Sequence, residues 1–479
     1  MVENRFDQTI CAQASASGPG AVSIIRISGP DTFGILDSVF KPAKGEGMAS
    51  RPGYRMVYGA ITNPASQEVI DEVLVAVFKT PHSYTGENSA EIYCHGSDYI
   101  VSTIQKLLIT NGARMAAPGE FTQRAFLNGK MDLTQAEAVA DLISSESKAA
   151  HDVALQQLKG GFSSELKLMR SELVDIVALM ELELDFSEED VEFADRSRLR
   201  ELIDAVQAHI RTLTDSFAYG NAIKNGVPVA IVGAVNTGKS TLLNAILGEE
   251  RAIVSDIAGT TRDTIEDSII IDGIQFRFID TAGIRDTDET IEQIGISRSR
   301  QKMKEASVIL LLLDATRPEE FRTGIEEVAI HLKDSHSHIP IYVLINKSDT
   351  VTDTAATTLA HRVREILEVY PFKNTTIMTV SAKNRTGIDL LTESLAESQN
   401  ALKTSSASAT TVTNLRHYEA LTHAQEALTR VRSGLDTSLS TELLAEDIRL
   451  ALHHIGTITG EITPDEILAT VFGRFCIGK

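Results

Sequence analysis

At 479 residues the chain is too long for one ordinary core, and at about 100 to 200 residues per domain it accommodates about three. With 43% hydrophobic and 23% charged residues, and no apolar run near the ~18 residues of a membrane span, it reads as a globular chain that does not cross a membrane. Its formal charge of -21 is the wrong sign for a broad electrostatic footprint on nucleic acid, so an RNA role would need a local basic patch or a basic partner.

The first eight residues lack the basic start and apolar stretch of a secretory signal, and a cytoplasmic location is expected. Residues 1–118 hold short β-rich runs, Ala21 to Ile27 and Val73 to Phe78, between Gly/Pro turns, the pattern of a separate α+β domain. Gly18-Pro19-Gly20 lacks the third glycine and the following helix of a dinucleotide fingerprint, and that reading is rejected. Seven of the twelve prolines lie at or before Pro118, and none lies between Pro118 and Pro228 or between Pro371 and Pro464. A proline inside a helix costs ~3 kcal/mol, so both gaps are helical territory.

In the first gap, residues 119–218, Leu166, Met169, Leu173, Ile176, Val177, Met180 and Leu184 recur at steps of three and four, and Leu133, Ala136, Val139, Ala140 and Ile143 do likewise. The eight carboxylates between Glu181 and Asp195 read as a solvated helix end and loop. In the second gap, which the expected helical segment 396–479 overlaps, a stripe of Leu443, Leu444, Ile448, Leu450, Ala451, Leu452 and Ile455 predicts a further helix. The economical architecture is one helical domain made from both flanks, with residues 219–395 inserted as an independent domain. Cys11, Cys94 and Cys476 are odd in number and widely spaced, and neither His453-His454 nor the His336/His338 pair has the company of a metal site. Two of the cysteines are expected as small buried hydrophobes.

The chemistry lies in the inserted block. Val227 to Val232 is a short apolar run typical of a buried parallel strand. It feeds Gly233-x-x-x-x-Gly238-Lys239-Ser240 and then a helical run from Thr241 to Leu247. Glycines let backbone N–H groups, those of Asn236 and Thr237 included, wrap phosphates. Lys239 neutralises the β and γ oxygens, and Ser240 offers a hydroxyl to Mg²⁺. Phe276 to Ile279 ends in Asp280-Thr281-Ala282-Gly283, an aspartate for the Mg²⁺ shell and a glycine N–H for the γ-phosphate, and pairs with Ile269 to Ile271 through an Asp272-Gly273 hairpin. Ile341 to Ile345 delivers Asn346-Lys347-Ser348-Asp349, whose aspartate accepts from guanine N1 and N2. Adenine lacks that donor pair and is rejected. Ser381-Ala382-Lys383 completes the base pocket. Between loop and second aspartate lies a switch segment, Ser255-Asp256-Ile257-Ala258-Gly259-Thr260-Thr261, in which Thr261 can complete the Mg²⁺ shell. These elements in this order specify a GTP-hydrolysing α/β domain with a doubly wound, mostly parallel sheet. Ile284 stands where Ras-type enzymes hold their water-orienting glutamine, so catalysis must draw on another residue.

With Ala258 to Asp263, Asp280 to Arg285, Pro118 to Asn128, Leu133 to Ala138 and the terminal Phe475-Cys476-Ile477-Gly478-Lys479 added, the chain resembles, over essentially its whole length, the tRNA-modification GTPase family called MnmE or TrmE. The resemblance implies a homodimer whose G domains meet across their nucleotides, with K⁺ held by Asn236, Ser255, Ile257 and Thr260. It also implies a water-orienting catalytic role for Glu292, for which the residues alone equally allow a solvated helix position, and switch roles for Arg262 and Arg285. An N-terminal site for a reduced folate, formyl- or methylene-tetrahydrofolate, would use Arg26, Glu91, Lys130 and Lys479, with Cys476 nearby as either a reactive or a packed thiol. The same resemblance implies a flavin-containing partner of the MnmG (GidA) family, which carries most of the tRNA contact, and an aminomethyl-type product at C5 of a wobble uridine. A GTP-dependent assembly switch without covalent chemistry is the rival reading, and folate binding separates the two.

Overall fold

The computed structural model describes residues 5–185, 196–248, 267–279, 306–332, 339–370, 372–405, 410–437, 439–462, 465–473, 475 and 477–478. The chain forms two compact units, one of Met1–Ile143, Gln156–Phe193 and Ser440–Lys479, the other of Ser144–Leu155 and Ala194–Leu439.

The first unit contains β1 (Ile10–Gln13), β2 (Gly20–Ser28), β3 (Phe40–Pro42), β4 (Arg55–Thr62), β5 (Val69–Phe78), β6 (Ser89–Gly96) and β7 (Arg114–Met115), in the spatial order β3-β4-β5-β6-β2-β1-β7. All neighbours are antiparallel except β1 and β7. The two β-rich runs read from the sequence fall inside β2 and β5. Period-two alternation sends Ile25, Ile27, Val73, Val75, Val77 and Ile92 to one face, where they pack with Leu36, Ile104 and Leu108 of the helices Thr32–Val39 and Asp98–Thr110. The opposite face carries Arg26 directly across from Glu91. A one-residue slip between β2 and β6 would send one of the pair into the core, so burial of the isoleucines fixes the pairing of the charges. One row further along, Tyr58, Leu74, Tyr93 and Ile24 cross this second face from β4 to β2.

In the same unit the helices Gly161–Asp185 and Thr441–Thr459 pack against each other. Leu166, Met169, Leu173, Ile176, Val177 and Met180 are buried as their spacing predicts. The stripe at Leu443 to Ile455 needs correction. Leu444, Ile448, Ala451 and Ile455 are buried, whereas Leu443 is 50% and Leu450 40% exposed. The buried four step by four, three and four, and each exposed leucine precedes one of them by a residue, about 100° round the helix. Ile143, in the last turn of Leu133–Ser144, is exposed too, although Leu133 and Ala136 are buried. Residues 186–195 of the acidic stretch lie outside the described residues.

The second unit holds β8 (Val227–Gly233), β9 (Asp267–Ile271), β10 (Ile274–Phe278), β11 (Val308–Asp314), β12 (Ile341–Asn346) and β13 (Thr375–Thr379), ordered β13-β12-β11-β8-β10-β9. Every pair is parallel except β9 with β10. β11 and β12 are buried along their whole length because both faces of the sheet are covered. Leu242, Leu243, Leu391 and Leu395 of the helices Lys239–Leu247 and Ile388–Ser405 lie in the core on one side; Phe321, Ile325 and Val363 of Phe321–Leu332 and Asp353–Leu367 lie in the core on the other. This is the doubly wound sheet expected. β9 and β10 are joined by Asp272 and Gly273 with φ of 51° and 80°, the left-handed pair that a two-residue hairpin demands. The same unit pairs the helices Arg196–Asp215 and Leu415–Asp436, with Arg432 bonded to Asp204 (2.9 Å), and seats Ala149, Ala150 and Val153 against the sheet core. Among the described residues no helix is long and apolar enough to cross a membrane.

Candidate functional site

Strand order reverses between β8 and β11, and the carboxyl ends of strands flanking such a point form the crevice where open α/β sheets take ligands. The Gly233–Lys239 loop sits there. Asn236 (φ 64°) and Gly238 (φ 98°) both adopt left-handed backbone, bending the loop round and opening the N-terminus of the helix Lys239–Leu247 toward it. At Gly238 the requirement is double, because an added Cβ would stand 2.4 Å from Asn346 Nδ2. Lys239 folds over the loop, its Nζ donating to the carbonyls of Gly233 (2.8 Å) and Ala234 (2.9 Å). Burial pushes its pKa down, with Glu327 opposing, so an anion there would favour the charged form. The Thr237 hydroxyl donates to the Ala234 carbonyl (2.9 Å). Ser240 and Thr241 continue into the first helical turn.

The two segments expected to read the base converge on the same loop through Asn346, which is 2% exposed. Its Nδ2 donates to the Thr237 carbonyl (2.8 Å) and its Oδ1 accepts from the Ala382 N–H (3.0 Å), tying three segments remote in sequence to one side chain. The Ser381 hydroxyl donates to Asp349 Oδ1 and accepts from the Asn384 N–H (3.2 Å), holding the carboxylate that would read guanine. Ser348 N–H donates to the Val380 carbonyl (3.2 Å), and Lys383 is exposed at the rim.

One residue of this assembly is absent from the motifs. Asp314, the last residue of β11, accepts from Lys347 Nζ (2.6 Å) and from the hydroxyl and N–H of Thr316 (2.7 and 2.9 Å). Burial alone would raise its carboxyl, but these bonds and the Lys347 charge outweigh burial and hold it below its ordinary value. The bond draws Lys347, whose φ is 65°, against the sheet end. Its only signal in the sequence is the lone charge closing an apolar strand.

Ser255 to Thr261, Arg262, Asp280 to Gly283, Arg285 and Glu292 lie outside the described residues, as do Cys476 and Lys479.

In the first unit Arg26 and Glu91 are brought together. Glu91 Oε1 accepts from Arg26 Nε (3.0 Å) and Nη2 (2.8 Å), and Oε2 accepts from the Tyr93 hydroxyl (3.0 Å). The Arg26 Nη1 donates to the carbonyl of Gly478 (3.4 Å), the residue before Lys479. Gly478 has φ of 99°, and a Cβ there would stand 2.0 Å from the Gln13 carbonyl, so Gly478 lies hard against β1 beside the pair. Lys130 donates to the Pro81 carbonyl (3.1 Å), on the segment that leads to Tyr84, whose ring lies 5.3 Å from the Arg26 guanidinium carbon. Tyr84 and Tyr93 carry no sequence signal of their own. Cys11 and Cys94 are buried hydrophobes, as two of the three cysteines were expected to be.

The family model described as "MnmE helical domain" matches residues 133–476, and "GTP-binding protein TrmE N-terminus" matches residues 9–130. The chain is 50% identical over 472 residues to the tRNA modification GTPase MnmE of Bacteroides thetaiotaomicron, covering 98% of this chain and 99% of that protein. It is 48% identical over 480 residues to the tRNA modification GTPase MnmE of Christiangramia forsetii, covering 99% and 100%. A solved GTP-binding protein from Sulfolobus solfataricus in complex with GDP is 17% identical over 49% of this chain and 67% of its own, with a TM-score of 0.29, too slight a likeness to argue from.

Proposed function

This chain belongs to the MnmE family of tRNA-modification GTPases and is a GTP hydrolase acting in tRNA modification; from that premise we propose that it contributes to adding an aminomethyl-type (carboxymethylaminomethyl) group to C5 of the wobble uridine of certain tRNAs. In this reading the one-carbon unit comes from a reduced folate and redox chemistry from a flavin-containing partner of the MnmG (GidA) family. K⁺-stimulated GTP hydrolysis drives the conformational cycle of a cytoplasmic homodimer. The four-part organisation at 1–118, 119–218, 219–395 and 396–479 is part of the same proposal.

The observation that carries it is the Arg26–Glu91 pair, partly buried, beside aromatic rings and the chain terminus, in a unit other than the one that holds the GTP loops. A plain GTP-driven switch has no need of a second such site. Glu91 Oε2, which accepts only from Tyr93, keeps a spare lone pair for a pterin N–H donor, and Arg26 Nη1, on its long bond to Gly478, can turn to a carboxylate.

At the GTP site, Lys239 would exchange two loop carbonyls for phosphate oxygens, Asp349 would accept the guanine donors, and Asn346 would keep phosphate loop and base loop in one frame. Mg²⁺, which would neutralise charge on the phosphates, would be held by Ser240 with Thr261. K⁺ would be held by Asn236, whose left-handed backbone and exposed side chain suit the task, with Ser255, Ile257 and Thr260. Glu292 would orient the attacking water, with Arg262 in the switch.

Exposed Tyr58 and Leu74 on the open face of the N-terminal sheet suit coverage by a second copy. Equilibrium binding of a reduced folate, abolished by Arg26→Ala, is the expected result. No binding to the wild-type chain would favour the assembly switch.

A further inference from the structure

Resting on the folate reading of the Arg26–Glu91 pair, we propose that Tyr84 is the ring-contacting residue of that site, and that Arg124, acting through Glu87, is the positioning residue that holds Tyr84 in place. A reduced folate is a flat ring system with a carboxylate tail, so charged groups satisfy only its edge and its tail; a site for it also needs aromatic or apolar surface. Two rings lie under the Arg26 guanidinium, that of Tyr84 at 5.3 Å and that of Phe121 at 5.6 Å. Phe121 is fully buried among Ile10, Ala12 and Ala116, which leaves Tyr84, only partly buried, to present ring surface. The Tyr84 hydroxyl is bonded to Thr122 Oγ1 (2.8 Å), so the ring is held at its far end.

The segment carrying Tyr84 is held as firmly. Both Glu87 carboxylate oxygens accept from Arg124 Nη1 at 3.1 Å, and one also accepts from the Ser28 hydroxyl (2.8 Å) at the end of β2, two residues from Arg26. Arg124 is 1% exposed and also donates to the Gln8 carbonyl (2.8 Å) and Glu120 (3.1 Å). A buried ion pair is weak as a source of stability and better attested as a device that selects one arrangement. Here the arrangement selected is the approach of Tyr84 to Arg26, since Glu87 lies three residues from Tyr84 and is bonded to the strand that bears Arg26.

The test is calorimetric titration of the full-length protein with 5-formyltetrahydrofolate, for the wild type and for Arg26→Ala, Tyr84→Ala, Tyr84→Phe, Glu87→Gln and the double Glu87→Gln/Tyr84→Ala variant, with unfolding midpoints compared in parallel. Tyr84→Ala is expected to raise Kd about tenfold, the weight of one flat ring stacked on an aromatic side chain, while Tyr84→Phe stays close to the wild type. Glu87→Gln is expected to raise Kd as well, and the double variant to bind no more weakly than Tyr84→Ala alone, because Glu87 acts through the ring. Arg26-dependent binding that Tyr84→Ala leaves unchanged would overturn the inference while the folate reading stands. Additive losses in the double variant would overturn the positioning role. No Arg26-dependent binding in the wild type would remove the folate reading and this inference with it.

Discussion

Asn346 concentrates more of the GTP site than any motif spacing conveys. Replacing it by Ala would leave the Thr237 carbonyl and the Ala382 N–H without their partner, at a cost of about 1–3 kcal/mol for buried groups so stranded. Expected together are a lower unfolding midpoint and weaker binding of a fluorescent GDP analogue; unchanged affinity would mean that the two loops do not need the tie. Asp314 gives a pH signature. Its folded carboxyl is held below the ordinary value of 3.8, so its contribution to stability is fully present above that value and is lost as pH falls through the folded one. Asp314→Asn should therefore flatten the acid limb of the stability profile below about pH 4, read by urea unfolding. Burial pushes the thiols of Cys11 and Cys94 to about 11, which leaves little thiolate at neutral pH, so both should resist alkylation until the chain unfolds. At this scale the sequence was legible where chemistry demands fixed spacing, as from Gly233 to Ser240. It was illegible for Asp314, whose partner Lys347 stands 33 residues away and is brought near because β11 and β12 run side by side, with Asp314 opposite Asn346.

Elements follow from periodicity, but periodicity alone overstates the buried face. On the helix Thr441–Thr459 the leucines at 443 and 444 look alike in sequence, and only the packing partner Gly161–Asp185 separates them. Leu444→Ala is expected to cost about 2–5 kcal/mol and Leu443→Ala less than about 0.5, a difference that thermal unfolding resolves. Equal losses would contradict the placement of this helix. The hairpin at Asp272-Gly273 was fully legible, because a two-residue turn with two positive φ values admits few other sequences. The pairing of Arg26 with Glu91 was not: it depends on the alignment of β2 with β6, which the buried isoleucines set and no local pattern announces.

For the whole molecule, the two-unit division places the GTP loops and the Arg26 site in different units, and the proposed function requires both in one chain. A monovalent cation acting beside Asn236 would make the GTPase rate several-fold higher in K⁺ than in Na⁺ at equal ionic strength. Asn236→Ala should remove that difference, and equal wild-type rates in both salts would take the cation out of the mechanism. The charge of -21 would suit the proposed division of labour, in which a partner holds the tRNA. The most direct measurement is reconstitution of the full-length protein with the flavin-containing partner proposed for it, tRNA, GTP and methylene-tetrahydrofolate labelled at the one-carbon unit, followed by mass spectrometry of the wobble nucleoside. Label at C5 of that uridine, lost when GTP is withheld and lost with Arg26→Ala, is the expected result. A uridine that gains its modification without the label, or with this chain left out, would contradict it.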